Sequence, residues 1–305
     1  MLLALQLAAC GSRPVHQPAV VMDVRSAMQL GMQAYQDNRY AEARNFFGRA
    51  LARYRSVDDR AGQLDALIDL ADSALGQGDY AAARACLGDA DNILANGNFP
   101  DRKPQVTLLE AYADMQAGDQ AAAAKTIDGL LDAAGVQADI RQAALFARTQ
   151  VAFDLKSADA AAWLAKLSAS LGENPDALNK ARYQRLEALA ARAHGNMQRA
   201  AALYAQALSA YRAAYFRPGI AATHEEWADM LMTQQDWTGA RDRLQRALNV
   251  RLSMYDRSHS VRDLEKLAEA DKALGDGAAA FQATQLADYL KNGGDPNQTS
   301  VQFQQ

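Results

Sequence analysis

The residue types that carry most chemistry are thinly spread. His16, His194, His224 and His259 have no metal-ligand spacing, and no Gly-x-Ser-x-Gly elbow or glycine-rich phosphate loop occurs. Gly76-Gln77-Gly78 follows no strand-like run, and Asp89-Ala90-Asp91-Asn92 lacks the remaining ligands and the glycine of a calcium loop, which makes it a solvated helix face. Cys10 and Cys86 are the two cysteines, and Cys86 reads as a small apolar residue inside a helix. Binding chemistry is better represented. Arg185 and Arg192 stand seven residues apart, two helical turns, with Arg182 one turn earlier. Three guanidinium groups facing one way suit carboxylates through forked hydrogen bonds. The sequence therefore points to binding, with no catalytic, cofactor or metal site.

The elements that position these residues repeat. Aligned on Tyr40, the equivalent positions are Tyr80, Gln120, Ala160, Met197, Trp237 and Gly277, at intervals of 40, 40, 40, 37, 40 and 40 residues. Three residues on come Ala43, Ala83, Ala123, Trp163, Ala200, Ala240 and Ala280, small in six of seven copies, where a larger side chain would hold two helices apart. Just before the marker stand Asp79, Asp119, Asp159, Asn196, Asp236 and Asp276, each able to cap the next helix, with Asn38 standing in for Arg39 in the first copy. Gly78, Gly118, Gly195 and Gly275 precede four of these caps and suit a left-handed helix end.

These positions resemble the tetratricopeptide repeat (TPR). Repeat one carries its pattern as Leu30, Gly31, Tyr40, Ala43, Phe47 and Ala50, and repeat six as Trp227, Ala228, Trp237, Ala240 and Ala247. The resemblance implies an all-α, right-handed superhelical solenoid of about seven helical hairpins over residues 20–292. Its usual unit is about 34 residues, so a 40-residue spacing adds roughly one and a half helical turns per hairpin. Trp163, Trp227 and Trp237 are expected in the core.

In that family the first helices of successive hairpins line a concave groove that binds a protein or peptide partner. Carried over by motif position, the groove takes Met28, Met32 and Tyr35 from repeat one, Asp65 and Asp72 from repeat two, and Tyr112 from repeat three. Arg148, Arg182, Arg185 and Arg192 form a basic centre, followed by an acidic patch of Glu225 and Asp229.

Hairpins are expected at about residues 21–57, 59–96, 105–134 and 137–171, with Asn174-Pro175 opening a helix to His194, Pro218-Gly219 preceding repeat six and Ser258 preceding repeat seven. Residues 293–305, beginning Gly293-Gly294-Asp295-Pro296, read as a disordered tail.

At the other end, residues 1–9 are a short apolar run leading into Leu7-Ala8-Ala9-Cys10, which resembles a bacterial lipoprotein signal. The resemblance implies lipid on Cys10, a tether over residues 10–19 containing Pro14 and Pro18, and, with Gly11 following, a lipid anchor on the periplasmic side of the outer membrane. A formal charge of −4 supplies no general attraction for nucleic acid. The expected function is a membrane-anchored scaffold serving an envelope assembly or secretion complex. A cell-wall enzyme activator and a cytoplasmic TPR regulator are the alternatives.

Overall fold

A computed structural model describes residues 19–296, with side chains from residue 23. The expected signal sequence, Cys10, the expected tether up to residue 18 and the expected tail from residue 297 lie outside the described residues.

The described chain is a run of helices with no strand: α1 (Ala19–Gln36), α2 (Tyr40–Ser56), α3 (Arg60–Gly76), α4 (Tyr80–Ala95), α5 (Lys103–Ala117), α6 (Gln120–Asp132), α7 (Ala138–Asp154), α8 (Ala160–Leu171), α9 (Ala177–Ala193), α10 (Met197–Ala213), α11 (Arg217–Thr233), α12 (Trp237–Ser253), α13 (Arg257–Ala273) and α14 (Gly277–Lys291). Odd-numbered helices open each hairpin and even-numbered helices close it. Each repeat marker, from Tyr40 to Gly277, is the first residue of a closing helix. The small-residue positions explain how the pairs approach: Ala43, Ala83, Ala123, Ala200 and Ala240 have no exposed surface, and Ala280 is almost as buried. Gly31 serves the same end, because a Cβ there would lie 2.5 Å from the Phe47 ring.

Caps set the hairpin register. The side chains of Asp79, Asp119, Asn196, Asp236 and Asp276 accept from the amides of Ala82, Ala122, Arg199, Gly239 and Ala279, which would otherwise have no partner in the first helical turn. Asp159 departs from the pattern. Its carboxylate takes the Trp163 indole N–H at 2.9 Å and the Ser157 hydroxyl, leaving no side-chain cap on α8. Asn38 does not cap either. It takes the left-handed place (φ 56°) that Gly78 fills in the next hairpin (φ 67°). Two boundaries also move: α9 opens behind Asp176, not Asn174, and α11 already contains Pro218 in its first turn. Trp163 lies between cations rather than in the core, with Arg148 4.5 Å and Lys166 4.0 Å from its ring centre.

The array coils back on itself. The Asn38 amide donates to the Tyr215 carbonyl at 3.3 Å, and Arg217 donates to the carbonyls of Asp37 at 3.0 Å and Asn38 at 2.8 Å. One hairpin further on, the Ser258 hydroxyl donates to the Gly78 carbonyl at 2.6 Å, and a Cβ on Gly78 would lie 2.4 Å from the Asp256 carboxylate. The partners are 177 and 180 residues apart, so the chain returns to itself after between four and five 40-residue hairpins. Beyond α14, Gly294 donates to the Tyr289 carbonyl at 2.9 Å and Pro296 is buried, so residues 293–296 belong to the folded body instead of the expected tail.

Candidate functional site

Inside this coil lies a cavity of about 410 Å³ to which the opening helices of all seven hairpins contribute. The contributing position drifts along the helix. Tyr35, Asp72, Tyr112 and Gln116 come from the C-terminal parts of α1, α3 and α5; Phe146, Gln150, Arg182 and Arg185 from the middle of α7 and α9; Pro218 and His259 from the first turns of α11 and α13. The array winds past a compact space, so no fixed motif position can face it throughout.

Five of the twelve proposed groove residues line the cavity: Tyr35, Asp72, Tyr112, Arg182 and Arg185. The other seven lie elsewhere. Met28 packs into the cores of the first hairpins, and Met32 is 41% exposed. Asp65 is tied to Arg102 at 2.7 Å. Arg148 reaches toward the closing helices, where it pairs with Asp128 on α6 at 2.7 Å and covers the Trp163 ring on α8. Arg192 is half-buried outside the cavity. Glu225 and Asp229 are consumed in an ion network, with Lys266 at 2.9 Å from Glu225 and 2.7 Å from Asp229, and with Arg251 bonded to Glu225. The proposed basic centre and acidic patch are thus largely paired with other charges of the chain.

The cavity's own electrostatics divide into paired and unpaired groups. Arg185 donates to Glu226 at 2.5 Å; burial works against its charge, and Glu226 together with Tyr211, Tyr204 and Asp154 more than offsets that, while burial raises the Glu226 carboxyl to about 7 against the pull of Arg185. Arg251 lies between Glu225 and Asp263, with Asp263 at 3.3 Å. His259 Nδ1 is 2.8 Å from Asp256. Asp72 has no such partner: among the described residues no cation lies within ion-pair distance, and the Tyr35 hydroxyl donates to it at 2.8 Å. Burial pushes its carboxyl above the ordinary range, with the Tyr35 hydrogen bond opposing. Among the described residues Arg182 likewise pairs with no carboxylate, and it lies 5.3 Å from the Phe216 ring centre. The Oε1 atoms of Gln116 and Gln150 and Nε of Arg185 are buried without a hydrogen-bond partner.

Sequence reading missed Gln116, Phe146, Gln150, Phe216, Asp256 and His259 as cavity residues. The drift along successive helices and the coil's return at residue 216 leave no local signal for them. Cys86 is half-buried against the core of the second hairpin, where burial pushes its thiol up. Among the described residues no group of three His, Cys, Asp or Glu could hold a metal ion.

Residues 23–94, the first two hairpins, match the tetratricopeptide repeat family profile. The remaining hairpins extend the same all-α solenoid. Among solved structures, BtubC from P. vanneervenii is 16% identical, covering 91% of this chain and 92% of that one at a TM-score of 0.36. The apo form of RapI is 11% identical over 94% and 80% at 0.48, and a TPR protein from Parabacteroides merdae is 13% identical over 87% and 99% at 0.46. A comparison with the curated proteins finds no match.

Proposed function

We propose that the chain is an interaction adaptor that takes a segment of a partner protein into the cavity of its TPR coil. The observation that carries the reading is the convergence of seven opening helices on one cavity whose Asp72 and Arg182 have no counter-charge among the described residues. A scaffold that needed these charges only for solubility would leave them fully exposed, whereas both are half-buried, and drawing a carboxylate away from water without a cation costs stability. Cys10 supplies the anchor in this reading: acylated, it holds the coil near a membrane surface for work in an envelope assembly or secretion complex. The tether from Cys10 to about residue 20 spans at most roughly 35 Å, which keeps the partner close to the leaflet.

Two substitutions test the two halves. Cys10→Ser should move the protein from the membrane to the soluble fraction, and unchanged retention would remove the anchor from the account. Arg182→Glu should abolish co-purification of the partner captured by the native chain, whereas Arg49→Glu on the exposed face of α2 should preserve it. Equal capture by both variants would place the binding surface outside the cavity.

A further inference from the structure

The cavity's chemistry narrows what it can hold. Asp72 accepts one hydrogen bond where a carboxylate has room for about four. Tyr35 and Tyr40 stand edge to face at 5.3 Å between ring centres, and both line the cavity beside Asp72, as does Tyr112. Aromatic rings around an acid are what an ammonium group seeks, because ring faces attract a cation and the carboxylate accepts from its N–H groups. The partnerless Gln116 Oε1 in the same wall adds a further acceptor. Elsewhere in the cavity the demand is opposite. Arg185 and Arg251 are paired with Glu226, Glu225 and Asp263, which among the described residues leaves the Arg182 guanidinium as the arginine of the cavity without a carboxylate partner.

We propose that the cavity binds a compact zwitterion: its ammonium group sits on Asp72 among Tyr35, Tyr40 and Tyr112, and its carboxylate meets Arg182 beside Phe216. A volume of about 410 Å³ falls within the range of roughly 300–1,000 Å³ typical of small-ligand sites. The seam that ties Asn38 to Tyr215 and Gly78 to Ser258 closes the coil on one side, which favours a short ligand over a long chain laid along an open groove. The inference rests on the cavity being the binding face proposed above. It adds the charge pattern of the occupant.

The test uses the full chain and three probe series: unbranched ω-amino acids from β-alanine to ε-aminocaproate, the alkylamines of matching length, and the matching alkyl carboxylates. Binding is read by calorimetry and by the shift in melting temperature. At least one ω-amino acid should bind tenfold or more tightly than its amine or its acid. Asp72→Asn, which keeps the acceptor for Tyr35, should weaken amine binding at least tenfold, and Arg182→Gln should weaken the ω-amino acid tenfold while leaving the amine unchanged. Triglycine and its N-acetylated form, run alongside, separate a peptide end from a free amino acid, and loss of binding on acetylation supports the ammonium site in either case. Absence of saturable amine binding, or amine binding unchanged in a folded Asp72→Asn chain, would overturn the inference. Partner capture that still depends on Arg182 would then leave the adaptor reading standing.

Discussion

Asn38 and Tyr215, 177 residues apart, meet through a hydrogen bond from the Asn38 amide to the Tyr215 carbonyl. Both residues have positive φ, 56° and 51°, so two turn apices face each other at that point. The Tyr40 hydroxyl donates to Asn38 Oδ1 at 3.2 Å and orients the amide, while Arg217 secures the adjoining carbonyls. This seam turns an otherwise one-dimensional stack, in which each hairpin touches only its neighbours, into a coil with contacts between its first and later hairpins.

Arg217→Ala should therefore loosen the seam without unfolding the hairpins. It removes the two hydrogen bonds across the seam, to the Asp37 and Asn38 carbonyls, along with the longer ones to Ser253, an effect of about 1–3 kcal/mol for a charged donor. Amide exchange should quicken around Asp37–Arg39 and Asp256–Ser260, and small-angle scattering should give a larger radius of gyration. A variant with native exchange at both places would show that the seam carries no closure energy.

The Arg185–Glu226 pair makes a second prediction. Arg185→Met leaves the Glu226 carboxylate buried without its cation and should destabilise the fold by about 3 kcal/mol, less than a fully enclosed pair because both side chains keep 15–20% exposure. The double change Arg185→Met with Glu226→Leu should recover most of that loss. Denaturant midpoints for the three variants form a double-mutant cycle, and simple additivity would contradict the pairing.

His224 gives the fold a pH dependence of known sign. It is 2% exposed, and burial together with Arg243, Arg212 and Arg246 lowers its pKa from 6.5 to about 4, with Asp242 opposing. Between those values the unfolded chain binds the proton and the folded chain does not. Its contribution is complete above pH 6.5 and is lost as pH falls toward 4. His224→Gln should flatten the stability curve over that window, by about 1–3 kcal/mol in total. Denaturation series at pH 7 and pH 4.5 that change by the same amount in both chains would contradict the assignment.

Much of the fold was legible from local signals. A cap and a small residue at fixed distance from five of the seven markers state where closing helices begin, because both rules act within one turn, and even Gly277 obeys them. Asp159 fails as a cap because Trp163, in the place of the usual Ala, offers its indole N–H as a competing donor. The site was less legible. Tyr35, Asp72 and Tyr112 line the cavity because the early hairpins present the end of the opening helix, as the motif positions assume. Arg148 was misplaced because by the fourth hairpin the coil has turned that position toward Asp128 and Trp163. Phe216 and His259 enter only through the return of the chain after a full turn, which no local pattern encodes.

The central claim, that a partner segment occupies the interior of the coil, is tested most directly by photocrosslinking from within it. Benzoylphenylalanine in place of Tyr112, on the cavity wall, should form a covalent adduct with the partner under irradiation, and the same group in place of the exposed Arg49 should not. Mass spectrometry of the adduct should return one short partner segment, with yield reduced by the zwitterion that binds most tightly. Crosslinking from position 49 with none from position 112, in chains that melt like the native protein, would contradict the account.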